Sequence, residues 1–330
     1  MLPIHPLLSD ATALLDPHQQ WARLSRHAAP SDREALEAAF RLALRAHASQ
    51  WQQAAGDAPP IPYVVHPVRV ACILACEWEA AGLHPLQTAL LHDVLQMCPL
   101  DRQADLAAQI ERAADRTVAE AVWLLTRPAL PEHVPAETRA RRDTGYFRGL
   151  RRAPAWVRLV KCADRVDNLR DAHLWNDRAR WERQASETIG WHLVLARESA
   201  PLAEFTLFKT LVDGERELKG RTPVWADGQL VDPAAAHVVP EHVARNYGVI
   251  GLAQRGTVLI LGSDRPLGPK WLTEIQHAIN AAGRYCHATE LRRITSGTLT
   301  DLLAAGLYSP VGGVDPSSPR LTEGSTGSAF

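Results

Sequence analysis

In the stretch ALLHDVL, His92 and Asp93 stand inside an apolar run long enough to be a buried helix. A carboxylate buried there without a partner costs several kcal/mol, so the chain can fold this way only if something offsets the charge. Two other segments offer partners: His66 in PYVVHP and Asp164 in LVKCADRVDNL, each again in a helix-like apolar setting. A divalent cation shared by His66, His92, Asp93 and Asp164 meets the requirement. Two imidazoles and two carboxylates form a mixed donor set that suits Mn²⁺, Fe²⁺, Co²⁺ or Zn²⁺. A His-Asp dipeptide alone is more often a satisfied core histidine or a helix cap. It is the order H…HD…D, each member in an apolar segment, that points to metal ligation.

Composition narrows the remaining classes. A chain of 330 residues is long for one ordinary core and short for three, which favours one large domain and a smaller one. Its net charge is −1, and the positive charge is nearly all arginine, the lysines being Lys161, Lys209, Lys219 and Lys270. No basic tract of the nucleic-acid-binding kind is present. The nearest are Arg139-Ala140-Arg141-Arg142 and Arg151-Arg152, read as solvated helix faces, with phosphate contacts at a site mouth as the alternative. The five cysteines are odd in number and form no C-x-x-C, so a reducing, cytoplasmic setting is expected. Cys72 and Cys76 lie on the apolar face of VRVACILACEW and read as core. No signal-peptide pattern and no apolar run of membrane-spanning length appears.

Periodicity divides the chain into an N-terminal extension over 1–30, an all-α domain over 31–212, a linker over 213–236, a small α/β domain over 237–308 and a polar tail over 309–330. Ser31 with Glu34 reads as a capping box opening the first amphipathic helix. Further helices are expected at His66 to about Ala81, Pro85 to Cys98, Leu106 to Thr126, Ala155 to Ala172, and Arg178 to Leu211 with a break near Pro201. The linker is placed where Gly, Pro and charge replace helical periodicity in DGERELKGRTPVWADGQLVDP. Beyond it come a helix in PEHVARNYG, two strands about a Gln254-Arg255-Gly256 turn, a helix from Trp271 to Ala282, a strand in RYCHATEL and a helix in SGTLTDLLAAGL. The C-terminal tail is Gly/Ser/Pro-rich and reads as disordered.

The ordered set AH-x-x-Q (Ala46, His47, Gln50), PYVVHPVRVACIL, ALLHDVL, VKCADRVDNLRD and ETIGWHLVLA resembles the HD phosphohydrolase superfamily. Within it, the segments are most similar to the hydrolase domain of RelA/SpoT-type proteins and the free-standing small alarmone hydrolases. The resemblance runs from about Ala43 to about Ala203, roughly half the chain. It implies an all-α HD-domain bundle, a divalent cation, manganese before the others, held by His66, His92, Asp93 and Asp164, and removal of the 3′-pyrophosphate from guanosine tetra- or pentaphosphate. It implies also that His47, Gln50, Lys161, Arg165 and Asn168 contact the nucleotide, with Lys161, Asp164 and Asn168 on one helical stripe. For Lys161 and Arg165 a plain surface ion pair on the helix is the competing reading. The run VVPEHVARNYGVIGLAQRGTVLILGSDRP resembles more loosely the N-terminal domain of type II secretion and type IV pilus ATPases. It lacks the R-L-G-x-x-L repeats associated there with cyclic-dinucleotide binding, so a protein-docking module that modulates the chemistry is expected.

Two departures from the resembled pattern bear on activity. Relatives show H-D-x-x-E-D, and here the last two positions are Gln96 and Met97. Neither an amide nor a thioether can accept a proton from water, and losing a general base typically costs about 10²–10⁴-fold in rate. The basic pair that follows AH-x-x-Q in relatives is replaced by Gln52-Gln53. Asp167, Asp171 and Asp101 are candidates to supply the missing carboxylate. The readings left open are a metal-dependent nucleotide phosphohydrolase, a degenerate regulatory module that holds metal and nucleotide without turnover, and a purely structural metal site.

Overall fold

The structure is a computed structural model that describes residues 16–52, 60–174, 177–219, 224–284 and 286–304. Up to Lys219 the described chain is almost entirely helical. Helices α1 (Pro17–His27) and α2 (Arg33–Ala46) are followed by a short antiparallel hairpin, β1 (Trp51–Gln52) with β2 (Ile61–Pro62). Then come α3 (Val65–Cys72), α4 (Leu83–Leu91), α5 (Gln103–Ala113), α6 (Arg116–Leu125) and α7 (Ala136–Arg152). Helix α8 (Ala155–Leu174) precedes α9 (Arg178–Glu187), α10 (Leu193–Arg197) and α11 (Pro201–Lys219). The axis of this body is α8, which packs against α3, α4, α9, α10 and α11. Its Val157, Val160, Ala163, Val166 and Leu169 are buried, so the polar residues between them are carried into the core.

Several helix boundaries differ from those the sequence suggests. A 3₁₀ turn, Pro30–Asp32, precedes α2, and the Ser31 hydroxyl donates to Asp32 Oδ1 at 3.0 Å, so no capping box forms. The helix expected from Pro85 to Cys98 stops at Leu91, because residues 92–97 wind into successive turns, with Val94 N donating to Leu91 O at 3.0 Å. The helix expected from Leu106 to Thr126 is two: Ala114 leaves helical geometry and Asp115 caps α6, accepting from Val118 N at 2.9 Å. The break at Pro201 is where it was expected. Two π-helical turns were not foreseen, Ile73–Glu77 after α3 and Thr188–His192 between α9 and α10.

The second region is a small α/β layer. It comprises the hairpin β3 (Trp225–Ala226) and β4 (Gln229–Leu230), α12 (Pro233–Val238), α13 (Glu241–Tyr247), β5 (Ile250–Arg255), β6 (Val258–Ser263), α14 (Pro269–Ala281), β7 (Ala288–Arg293) and α15 (Ser296–Ala304). β5 and β6 are antiparallel through the turn at Gly256 (φ 61°), whereas β6 and β7 are parallel, with α14 as the crossover. Side chains alternate across β6. Ile260 joins the core of the helical body, and Leu259 and Leu261 join a second cluster with Val243, Ile275 and Ile279 of α13 and α14. The sheet is therefore covered on both faces, with the helical body as one cover.

Where it is described, the stretch read as a linker, 213–236, consists of the last turns of α11, the β3–β4 hairpin and the start of α12. Ala226, Leu230, Val231 and Ala236 are buried in the main core, so the boundary inferred from composition is not a boundary in packing. The tail 309–330 and residues 1–15 of the N-terminal extension lie outside the described residues.

The seam is tight at the second π-turn. A methyl group at Gly190 would come within 2.2 Å of the Gln254 carbonyl oxygen, and Arg255 Nε donates to the Gly190 carbonyl at 2.8 Å. Gly190→Ala should therefore force β5 off the helical body and cost about 1–3 kcal/mol in denaturant unfolding. Gly149→Ala, on a helix with open space around the site, should be neutral or stabilising. Equal stability for both variants would show that the seam does not hold the two regions together.

Candidate metal centre

Three buried side chains from three elements converge: His66 from the first turn of α3, His92 from the turn that ends α4, and Asp164 from the middle of α8. One donor atom from each lies within 4.8 Å of the others, so the set can hold a metal ion. His66 Nε2 is 3.2 Å from Asp164 Oδ1 and 3.6 Å from Asp93 Oδ2, and His92 Nε2 is 3.3 Å from Asp93 Oδ2. His92 Nε2 is buried and makes no hydrogen bond of acceptable geometry, although its Nδ1 lies 2.8 Å from the Ala89 carbonyl. A bonded Nδ1 and an orphaned Nε2 facing carboxylates is the arrangement of an imidazole that presents a lone pair to a cation. Burial by itself would lower the pKa of the His66 imidazole, but its bonds to Asp164 and Asp167 outweigh burial and hold it at about 9. His92 behaves likewise: burial is outweighed by Asp93 and Asp164, which raise it to about 10. The pocket thus attracts positive charge strongly.

A second layer of bonds fixes the donors. His66 Nδ1 lies 2.7 Å from Asp167 Oδ2, and Asp167 is gripped by Arg69 through two bonds of 2.8 Å. Arg69 also donates to Asp171 Oδ1 at 2.6 Å. Lys161 Nζ donates to Asp164 Oδ2 at 2.7 Å and Asn168 Nδ2 to Asp164 Oδ1 at 2.5 Å. The Tyr63 hydroxyl donates to Asp93 Oδ2 at 2.5 Å. Every carboxylate oxygen aimed at the centre is therefore oriented from behind, which is what a preformed ligand set requires.

The other residues singled out in the sequence have definite places. Asp167 and Asp171, weighed as replacement bases, are buried and committed to Arg69 and His66, while Asp101 is exposed in a 3₁₀ turn, Leu100–Arg102. His47 Nδ1 lies 2.6 Å from Gln50 Oε1, and Gln50 Nε2 donates to the Met97 carbonyl at 3.1 Å, so this pair braces the turn that carries His92 and Asp93. Arg165 is paired with Glu187 at 2.6 Å, and the same carboxylate is held by Arg127 at 2.7 Å. Gln96 Oε1 accepts from Arg127 N at 2.7 Å, and the Met97 side chain is exposed. Gln52 lies in β1, whereas Gln53 falls outside the described residues.

Four contributors escaped the sequence reading: Tyr63, Arg69, Asp167 in its role behind His66, and Arg180. Arg69 had a signal, being the lone charge in the apolar stretch VRVACIL. Arg180 NH2 donates to Asn168 Oδ1 at 3.0 Å, and among the described residues it has no carboxylate partner.

No protein-family model matches the chain. It is 34% identical over 166 residues to a guanosine-3′,5′-bis(diphosphate) 3′-pyrophosphohydrolase of Vibrio cholerae, an alignment that spans 49% of this chain and 21% of that protein. It is 29% identical over 136 residues to the guanosine-3′,5′-bis(diphosphate) 3′-pyrophosphohydrolase MESH1 of Danio rerio, spanning 41% of this chain and 69% of that one. A solved structure described as a metazoan ortholog of SpoT that hydrolyzes ppGpp aligns with a TM-score of 0.44 and 21% identity, over 56% of this chain and 96% of that one. The sequence similarities relate this chain, at modest identity, to ppGpp 3′-pyrophosphohydrolases. Among the described residues no helix is long and apolar enough to cross a membrane.

Asp167→Asn keeps the shape behind His66 but removes the charge that orients its ring and balances Arg69. Apparent affinity for a divalent cation, measured by competition with a chelating dye, should fall about 10–100-fold. Unchanged affinity would mean that Asp167 serves packing alone.

Proposed function

We propose that the protein is a metal-dependent nucleotide phosphohydrolase related to the alarmone hydrolases, acting on a guanosine polyphosphate with manganese as its cation. The observation that carries this reading is the buried convergence of His66 Nε2, His92 Nε2 and the Asp164 carboxylate in a chain similar to named 3′-pyrophosphohydrolases. Asp93, whose Oδ2 faces both imidazoles, would be the fourth ligand. A cation bound there would polarise a phosphoryl oxygen and acidify a water molecule.

The chain's own residues then have separable tasks. Asp167 and Asn168 hold His66 and Asp164 in place, and Lys161 balances the second Asp164 oxygen. Arg180 takes the place of the basic pair missing at Gln52-Gln53: without an acidic partner among the described residues, its guanidinium is available to a phosphate. The step left without an obvious owner is deprotonation of the attacking water.

A second reading, a module that binds metal and nucleotide without turnover, is favoured by that one gap. Gln96 is engaged with the Arg127 backbone and Met97 has no basic atom. The two readings separate in a screen of manganese-loaded protein against guanosine tetraphosphate, nucleoside triphosphates and nucleoside monophosphates. The hydrolase reading expects release of pyrophosphate or phosphate from at least one of them. It also expects the double variant Gln96→Glu, Met97→Asp to raise hydrolysis of guanosine tetraphosphate by about tenfold or more. Stoichiometric nucleotide binding with no turnover by either protein would establish the second reading instead.

A further inference from the structure

A cavity of about 340 Å³ opens at the seam between the helical body and the α/β layer, and none of His66, His92, Asp93 and Asp164 is among the residues that line it. Its helical wall includes Ile189, Phe205 and Phe208, and its other wall Leu230, Arg255 and Arg292. Volume of this order is at the lower end of small-ligand sites and admits one mononucleotide.

The charges on the two walls do not balance. Glu204, the one carboxylate on the lining among the described residues, is already paired with Arg197 at 2.7 Å. Arg255 spends its Nε on the Gly190 carbonyl, and its nearest carboxylate, Glu290, stands 3.9 Å away at the limit of ion pairing. Burial, above all, lowers its pKa from the usual arginine value, and the charges of Arg151 and Arg292 push the same way. Arg292 is exposed and has no carboxylate within ion-pair distance among the described residues. Two guanidiniums thus share one concave surface, Arg255 with only the long Glu290 pair and Arg292 with no carboxylate in ion-pair range among the described residues.

The opposite wall is aromatic. Phe205 is 62% exposed on α11 at the cavity's edge, and Phe208 packs on Trp225 with ring centroids 4.6 Å apart. A large aromatic side chain left in water beside paired guanidiniums matches a ligand with a flat ring at one end and an anion at the other. We propose that this seam cavity binds a nucleoside phosphate, its phosphate held by Arg255 and Arg292 and its base laid against Phe205.

The test uses the full-length protein in EDTA, so that no cation occupies the metal ligands, and titrates guanosine 5′-monophosphate, guanosine and inorganic phosphate by calorimetry. The monophosphate should bind at one site, at least about tenfold more tightly than guanosine or phosphate alone. Arg292→Gln and Phe205→Ala alter exposed side chains and should leave the melting temperature unchanged. Each should weaken binding of the monophosphate at least about fivefold. Arg180→Gln, beside the metal ligands, should leave that binding unaltered. The proposal is overturned by loss of binding in Arg180→Gln, by indifference to Arg292→Gln and Phe205→Ala, or by equal affinity for guanosine and its monophosphate. It is overturned equally if no saturable binding appears at millimolar ligand, which would leave the aromatic rim as a protein contact.

Discussion

Three aspartates buried along one face of α8 set the terms for everything packed around them. Asp164, Asp167 and Asp171 follow helical spacing and are no more than 5% exposed, so their charge must be met inside the protein. Arg69, from α3, meets two of them, and His66, one turn earlier on the same helix, reaches Asp167 and Asp164 together. Lys161 meets the far oxygen of Asp164. These bonds fix where α3 must lie against α8, and the apolar residues between them fill the gap. What they leave is a concentrated negative centre at Asp93 and Asp164, bordered by His92 Nε2 with no hydrogen bond. The electrostatic demand for a cation is therefore a by-product of how the core is assembled, so in the proposed reading function and stability rest on the same residues.

The periphery of the site follows different rules. Residues 92–97 are turns, held by the bond from Gln50 to the Met97 carbonyl and by the bond between Gln96 and the Arg127 backbone. Gln96 and Met97 occupy this part and not the ligand face of α8. Neither side chain takes part in the bonds that orient His66 and Asp164. In the proposed reading, this separation would let the candidate ligand set persist while the residues at positions 96 and 97 change.

The candidate ligands His66, His92 and Asp164, which the structure brings together, stood out in the sequence because each is an anomaly, a titratable residue in an apolar run, and such anomalies need no three-dimensional information to be noticed. Most helices were legible for the complementary reason that their apolar period is regular. What the sequence concealed depends on partners distant along the chain. Asp167 and Asp171 looked like spare bases, since nothing local announces that Arg69 occupies them. The end of α4 at Leu91 was hidden because the apolar pattern continues through Val94 and Leu95, which stay buried in turns. The seam was hidden as well: Gly, Pro and charge in 213–236 read as a linker, yet Ala226, Leu230 and Val231 enter the main core.

The central claim is that His66, His92 and Asp164 form the ligand set of one divalent cation. Anomalous diffraction at the manganese edge, from crystals grown with manganese chloride, tests it directly. The account predicts a single strong peak about 2.0–2.3 Å from His66 Nε2, His92 Nε2 and an Asp164 oxygen, with Asp93 at similar range. A peak elsewhere, or no peak with both imidazoles bonded to the carboxylates as protonated rings, would contradict it.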